Sequence, residues 1–215
     1  MKIRVLIADD HRIMREGLRS LLEQEDDLEL VGETQNGREA VQLARKLLPT
    51  IAVLDVAMPD LNGMEATRQI LRQAPKVKVL ALSMHSDRRF ILGMIEAGAS
   101  GYLLKDCAYE ELVTALRAVA GGGIYLSPRI AGLVVKERLK SQSDPAAASA
   151  ASLTAKEREV VQLIAEGHST KEIADILGVS VKTVETHRQR VQTKLNCRSV
   201  ADLTKFALRE GLTSL

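Results

Sequence analysis

Five residues in the first half of the chain carry complementary chemistry: Asp9, Asp10, Asp55, Ser83 and Lys105. Each closes or follows a short apolar run. Ile3 to Ala8, interrupted by Arg4, leads into Asp9-Asp10, and Ile51-Ala52-Val53-Leu54 leads into Asp55. Val77 to Ser83 and Gly101 to Leu104 do the same for Ser83 and Lys105. An ionised carboxylate is costly to remove from water unless it is paired or holds a metal. Asp55, with Met58-Pro59 breaking the chain just beyond, is therefore expected where a buried strand stops and opens to solvent. Read alone, it serves equally well as a turn aspartate ahead of a proline. Three clustered carboxylates stay ionised together only beside a cation, and an all-oxygen set with room for water suits Mg²⁺. Asp55 is the central one and the natural nucleophile toward phosphorus. Mg²⁺ and Lys105 would stabilise charge on a transferring phosphoryl group, and Ser83 would hydrogen-bond its oxygens. His11 offers either a metal ligand or a local cap for the helix that starts there.

The elements that must position these residues alternate along residues 1–124. Strand patterns over Ile3–Ala8, Leu28–Gly32, Ile51–Asp55, Val77–Ser83 and Gly101–Leu104 are separated by helical patterns. The helices carry Ile13, Leu18, Leu21 and Leu22, then Ala40, Val41, Ala44 and Leu48, then residues 63–72, 88–97 and 110–120. Five strands alternating with five helices predict an α/β domain with a parallel sheet covered on both faces. With the flavodoxin-like order 2-1-3-4-5 of a doubly wound (βα)5 fold, strands one and three are neighbours at the switch point. All carboxyl ends then share one edge, where Asp9, Asp10 and Asp55 meet.

The second half changes character. Pro128 to Leu139 reads as one more helix, and Ser141 to Ser152, rich in Ser and Ala, as a flexible linker. Residues 125–152 are thus a helix and linker, and residues 153–215 a small all-α domain of four helices. Thr154 with Glu157 is a capping box. Thr170 to Leu177, a Gly178-Val179-Ser180 turn and a helix to Leu195 form a helix-turn-helix, whose second helix fits the DNA major groove. Projected at 3.6 residues per turn, Val184, Val191 and Leu195 share one face, with Val181 nearby. The opposite face is polar and basic. Thr170, Lys171, Ser180, Lys182 and Thr183 lie at helix starts, where they can bond phosphates. Glu185, Thr186 and Gln189 are placed to read base edges, and Arg190 and Lys194 flank them. An ordinary solvated amphipathic face is the plainer alternative.

Composition bounds the rest. The 215 residues are 46% apolar but only 2% aromatic, without Trp, so the core must be Leu, Val, Ile and Ala. The net charge of +2 names no partner, but Lys182, Arg188, Arg190, Lys194 and Arg198 against Glu185 make a local basic stripe. Cys107 and Cys197 fit no metal or redox spacing, and the chain opens directly into a strand pattern. A cytoplasmic protein without a membrane span is expected.

The strand-end constellation resembles the receiver domain of two-component response regulators over residues 1–124. Leu153-Thr154, Glu157, Arg158-Glu159, Gly167, Lys171-Glu172-Ile173-Ala174, Val179-Ser180, Thr183-Val184, His187 and Lys194-Leu195 resemble the LuxR-type DNA-binding domain. The whole chain resembles the NarL/FixJ family. That resemblance implies a transcription regulator in which Asp55 accepts phosphate from a sensor histidine kinase or small phosphodonor. Asp9, Asp10, Asp55 and the Ala57 carbonyl would bind Mg²⁺. Ser83 and Tyr102 would form a switch in which Tyr102 rotates inward. The partners implied are double-stranded DNA with paired half-sites, a second copy of the chain once phosphorylated, and RNA polymerase. Dimerisation through the last helix has Val200, Leu203, Phe206 and Ala207 as candidates, whose alternative is packing within the domain. Three departures are Asp106 where proline is common, Thr170 where asparagine is common, and Glu185 where some members have lysine. An aspartyl-phosphate hydrolase of the haloacid dehalogenase kind would need a second aspartate at Ala57, and a phosphate-independent receiver would share every residue named.

Overall fold

A computed structural model describes residues 2–107, 109–141 and 153–213. These divide into two compact units, 1–138 and 139–215, each described by itself. No helix among the described residues is long and apolar enough to cross a membrane.

The first unit alternates β1 (Ile3–Ala8), α1 (Arg12–Leu22), β2 (Leu28–Thr34), α2 (Gly37–Leu47), β3 (Ile51–Asp55), α3 (Gly63–Gln73), β4 (Lys78–Ser83), α4 (Arg88–Glu96), β5 (Gly101–Leu104) and α5 (Tyr109–Ala120). It continues through β6 (Tyr125–Leu126) and α6 (Pro128–Ser141). The sheet order is β2-β1-β3-β4-β5-β6, with every pairing parallel. The predicted order 2-1-3-4-5 is therefore present, extended by one edge strand. That strand has two residues, too few for any alternation to register in a sequence. It and α6 attach to the first unit: Ser127 N–H reaches the Tyr102 carbonyl, and Ile130 is fully buried in the main core. The packing boundary thus lies near residue 138 rather than 124.

The sheet is covered on both faces because its central strands carry apolar side chains on both sides along most of their length. In β3, Ala52 and Leu54 face a core built with α2, α3 and α4. Ile51 and Val53 face the other core, with Leu18 and Leu22 of α1 and Leu112, Leu116 and Val119 of α5. This two-sided burial is why β3 reads as an unbroken apolar run. Ile13 departs from the expected α1 face: it is 86% exposed. It sits in the first turn of α1, and spacing alone assigned it to the core.

Two helical glycines differ in what surrounds them. An added Cβ at Gly63, the first residue of α3, would lie 2.1 Å from the Asp55 carbonyl oxygen. At Gly17, in the middle of α1, an added Cβ would meet nothing within 4 Å. Helix propensity favours alanine at both sites by about 1 kcal/mol, but a backbone clash cannot be relieved by a rotamer change. We expect Gly17→Ala to stabilise the first unit by about 0.5–1 kcal/mol, and Gly63→Ala to destabilise it by about 2 kcal/mol. Urea unfolding of the two variants gives the signs directly.

The second unit holds α7 (Ala155–Ala165), α8 (Thr170–Leu177), α9 (Val181–Leu195) and α10 (Val200–Arg209). Reciprocal capping boxes open α7, α8 and α10. Ser180 opens α9 by accepting from the Thr183 N–H. Gly178 ends α8 in the left-handed region at φ 64°, which needs a residue without Cβ strain. The cap of α8 is Ser169, so Thr170 is the first helical residue rather than the cap. The predicted linker lies almost wholly in 142–152, outside the described residues.

Candidate functional site

Strand register brings the pocket together. Ala8 stands opposite Leu54, Asp55 opposite Leu82, and Ser83 opposite Leu104. The residues that follow or end these pairs, Asp9, Asp55, Ser83 and Lys105, therefore reach one edge. The Lys105 N–H donates to the Ser83 carbonyl at 2.9 Å, tying the ends of β4 and β5. Beyond Asp55 the chain turns through Asp60, at φ 64°, and Asn62 caps α3 on the Glu65 N–H.

Asp9, Asp55 and Ser83 are 2%, 3% and 0% exposed. The Lys105 side chain is equally buried, and its ammonium lies 2.7 Å from both Asp55 Oδ2 and Asp9 Oδ2. The Asp55 contact is a hydrogen bond. Asp9 Oδ2 pairs with the ammonium by charge but accepts no hydrogen bond. Burial pushes the Asp55 carboxyl above its ordinary range, despite the hydrogen bond and charge of Lys105 and the Ala57 N–H. Burial opposes the charge on Lys105, but the two carboxylates hold it above the ordinary lysine range. Asp10 is more open and lies 2.8 Å from His11 Nδ1. Ligand atoms of Asp9, Asp10, His11 and Asp55 all lie within 4.8 Å of one another. Three carboxylates against one ammonium leave net negative charge, and a buried carboxylate oxygen takes no hydrogen bond; such a donor set fits a hard divalent cation such as Mg²⁺.

Ser83 and Tyr102 are joined through His85. The His85 N–H donates to Ser83 Oγ at 3.0 Å, and Tyr102 donates its hydroxyl to the His85 carbonyl at 2.7 Å. Tyr102 is fully buried, and burial lifts its phenol to about 12. The sequence pointed to Ser83 and Tyr102 but not to His85, which acts here through its backbone and so leaves no side-chain signal.

In the second unit, α9 separates its faces as projected except at Val181, which opens the helix and is 42% exposed rather than turned to the core. Val184 and Val191 are buried, while Lys182, Glu185, Thr186, Gln189 and Arg190 are exposed. Thr183 is half-buried and engaged with Ser180. Lys171 is exposed at the start of α8. Two expectations change. Lys194 bonds Glu157 Oε2 at 2.7 Å, so it braces α9 against α7 as well as flanking the polar face. Leu203 and Ala207 are 0% exposed and Phe206 packs on the same core. Leu203 and Ala207 are therefore interior residues and cannot meet a partner. Of the four, Val200 is exposed at 45% and Phe206 is half-buried. Helical spacing marks an apolar stripe but not which of two surfaces buries it.

A doubly wound receiver-type sheet with an acidic pocket, followed by a helix-turn-helix unit, defines a class: signal-responsive DNA-binding regulators. Residues 5–117 match the response regulator receiver domain, and residues 151–207 match the luxR family of bacterial regulatory proteins. The chain belongs to the two-component response regulators of the NarL/FixJ type, which join these two domains. It is 38% identical to the transcriptional regulatory protein MctR of Rhizobium johnstonii, over 99% of this chain and 96% of that one. It is 36% identical to the oxygen regulatory protein NreC of Staphylococcus epidermidis, over 98% and 99%. The RcsB response regulator of Salmonella typhimurium superposes with a TM-score of 0.64 at 27% identity, over 97% and 98%. Another RcsB structure, bound to a promoter in the presence of the phosphomimetic BeF3⁻, gives 0.62 at 26% identity, over 99% and 100%. The chain is a transcription regulator with receiver and DNA-binding domains.

Glu157 offers a test of how the second unit is held. It is 3% exposed. Burial raises its carboxyl, but the Lys194 ammonium and the Thr154 N–H outweigh that and hold it below the ordinary range. A carboxyl depressed in the folded state contributes stability above its unfolded value of about 4.3 and loses it as pH falls through the folded value. The stability difference between the native chain and Glu157→Gln should therefore be largest at neutral pH. It should shrink progressively below about pH 4.5, as read by urea unfolding followed through helical circular dichroism.

Proposed function

We propose that this chain is a phosphorylation-switched transcription regulator working in the cytoplasm. Asp55 is the phosphoacceptor. Asp9, Asp10, Asp55 and the Ala57 carbonyl would hold Mg²⁺, which when bound neutralises charge on the phosphodonor. An Asp55 carboxylate oxygen attacks phosphorus, a new O–P bond forms, and the donor's bond to phosphorus breaks with the donor keeping that electron pair. The donor is a phosphohistidine of a sensor kinase or a small acyl phosphate. Lys105, already on Asp55, moves onto a phosphoryl oxygen, and Ser83 donates its hydroxyl to another. Ser83 Oγ also accepts from the His85 N–H, so a shift of the hydroxyl toward the phosphoryl group carries the change to Tyr102 and the β4–α4 loop. The one observation that carries this reading is the Lys105 ammonium held 2.7 Å from the carboxylate at the end of β3. A buried acceptor is otherwise too costly to keep ionised, and no other strand end among those of the described residues combines a carboxylate, an ammonium and a hydroxyl.

The output is DNA binding. Thr170, Lys171, Ser180, Lys182 and Thr183 contact phosphates; Glu185, Thr186 and Gln189 read base edges; Arg190 flanks them, with Lys194 shared with Glu157. Two copies engage paired half-sites, as helix-turn-helix proteins do when palindromic sites mirror their symmetry, with Val200 on the exposed side of α10 and RNA polymerase as a downstream contact. Incubation with Mg²⁺ and acetyl phosphate should give an acid-labile mass gain that Asp55→Asn abolishes; a gain that persists in that variant defeats the assignment. Lys182→Met should weaken DNA binding across all sequences and lower the salt slope by about one. Gln189→Ala should instead change sequence preference.

One observation favours a second reading. Tyr102 is already inward, with its hydroxyl on the His85 carbonyl, so the switch pair is linked without a phosphoryl group. A receiver that serves mainly as a phosphate-independent module fits that arrangement, and DNA affinity unchanged by phosphorylation would select it.

A further inference from the structure

His11 was open between a cap and a ligand, and the structure removes the first. It occupies the N-cap position of α1 with extended backbone, φ −80° and ψ 105°, yet its side chain caps nothing. The ring turns back to the pocket instead. Nδ1 lies 2.8 Å from Asp10 Oδ1, 3.2 Å from Asp9 Oδ1 and 3.8 Å from Asp55 Oδ2. Lys105 Nζ is 3.5 Å away. In an octahedron with bonds of about 2.1 Å, adjacent donors lie about 3 Å apart and opposite ones about 4.2 Å. The spacings from Nδ1 fall within that range. Asp9 Oδ2, buried and outside any hydrogen bond, has only the shared Lys105 ammonium beside it at 2.7 Å, so the three carboxylates and the ring face a single positive charge.

We propose that His11 Nδ1 is a metal ligand alongside the three carboxylates, and that it makes this pocket prefer nitrogen-seeking divalent ions such as Co²⁺ and Ni²⁺ over Mg²⁺. The inference rests on the cation-binding reading of the pocket. Mg²⁺ favours oxygen and keeps its water, so an imidazole adds little to it. Imidazole suits later first-row ions, whose affinities rise along that row. The ring is 64% exposed, so it can seat on the ion without displacing a core residue, its single proton remaining on Nε2. The pocket would then sense which divalent ion is abundant as well as whether a phosphodonor is present.

The test is calorimetric titration of the full chain with MgCl2, CoCl2 and NiCl2, with the visible spectrum of Co²⁺ as a second readout. The native chain should bind Co²⁺ and Ni²⁺ at least about ten-fold tighter than Mg²⁺. His11→Ala should lose about ten-fold for Co²⁺ and Ni²⁺ and less than about two-fold for Mg²⁺. It should also shift the Co²⁺ band. His11→Lys, which keeps a donor facing the carboxylates but supplies no ligand nitrogen while protonated, should behave like His11→Ala. Asp10→Ala should weaken all three ions, separating this site from surface histidines. Equal losses for all three ions in His11→Ala, or none, overturn the assignment while leaving the cation-binding reading of the pocket standing. A native chain that binds none of them overturns the cation reading beneath it.

Discussion

Two carboxylates buried side by side at the ends of β1 and β3 are the constraint on which the first unit depends. Asp9 and Asp55 are almost inaccessible, and like charges so placed repel in a medium that screens poorly. The Lys105 ammonium lies between them at equal distance. It comes from the end of β5, two strands from β3 in the sheet. The arrangement therefore exists only if the sheet forms in full register. A slip of one residue would turn each of these side chains to the opposite face. Folding and site assembly are in this sense the same event.

The pair is also poised to be reorganised. One ammonium cannot balance three carboxylates, so the pocket retains negative charge beside a carboxylate oxygen that accepts no hydrogen bond. Lys105 can exchange Asp55 for another anionic oxygen without leaving the pocket. Ser83 and Tyr102, joined through the His85 backbone, couple that exchange to the β4–α4 segment. A charge added at Asp55 has a short mechanical route outward. In the proposed function this route, rather than turnover, is the purpose of the chemistry.

The second unit meets a different demand: one helix must be held firmly on one face and left free on the other. Val184 and Val191 anchor α9, and Glu157 holds Lys194 near its far end. Glu157 also closes the capping box of α7, so a single buried carboxylate orients two helices. The exposed polar side of α9 is thereby presented at a defined angle, which a major-groove reader requires.

Much of this was legible in the residues. Apolar runs closed by polar residues located every strand of the (βα)5 core, and capping pairs such as Thr154 with Glu157 placed helix starts to the residue, because both signals are local. Asp9, Asp10, Asp55, Ser83 and Lys105 were legible because a parallel sheet sends all its carboxyl ends to one edge. What only the tertiary structure decided are questions of which surface meets which. Spacing placed Ile13 in the core, but it faces water; Leu203 and Ala207 were open between a partner and the domain's own interior, and they face α7 and its neighbours. Spacing read Lys194 as a flanking DNA contact and did not show that a carboxylate 37 residues earlier in the chain also holds its ammonium. It also ended the first unit before β6, which owes its existence to the open edge of β5. A sequence determines periodicity, charge and caps, since these depend on neighbours a few residues away. Which of two faces is buried, and which side chain a buried charge finds, depends on contacts between distant segments, and those exist only once the chain has folded.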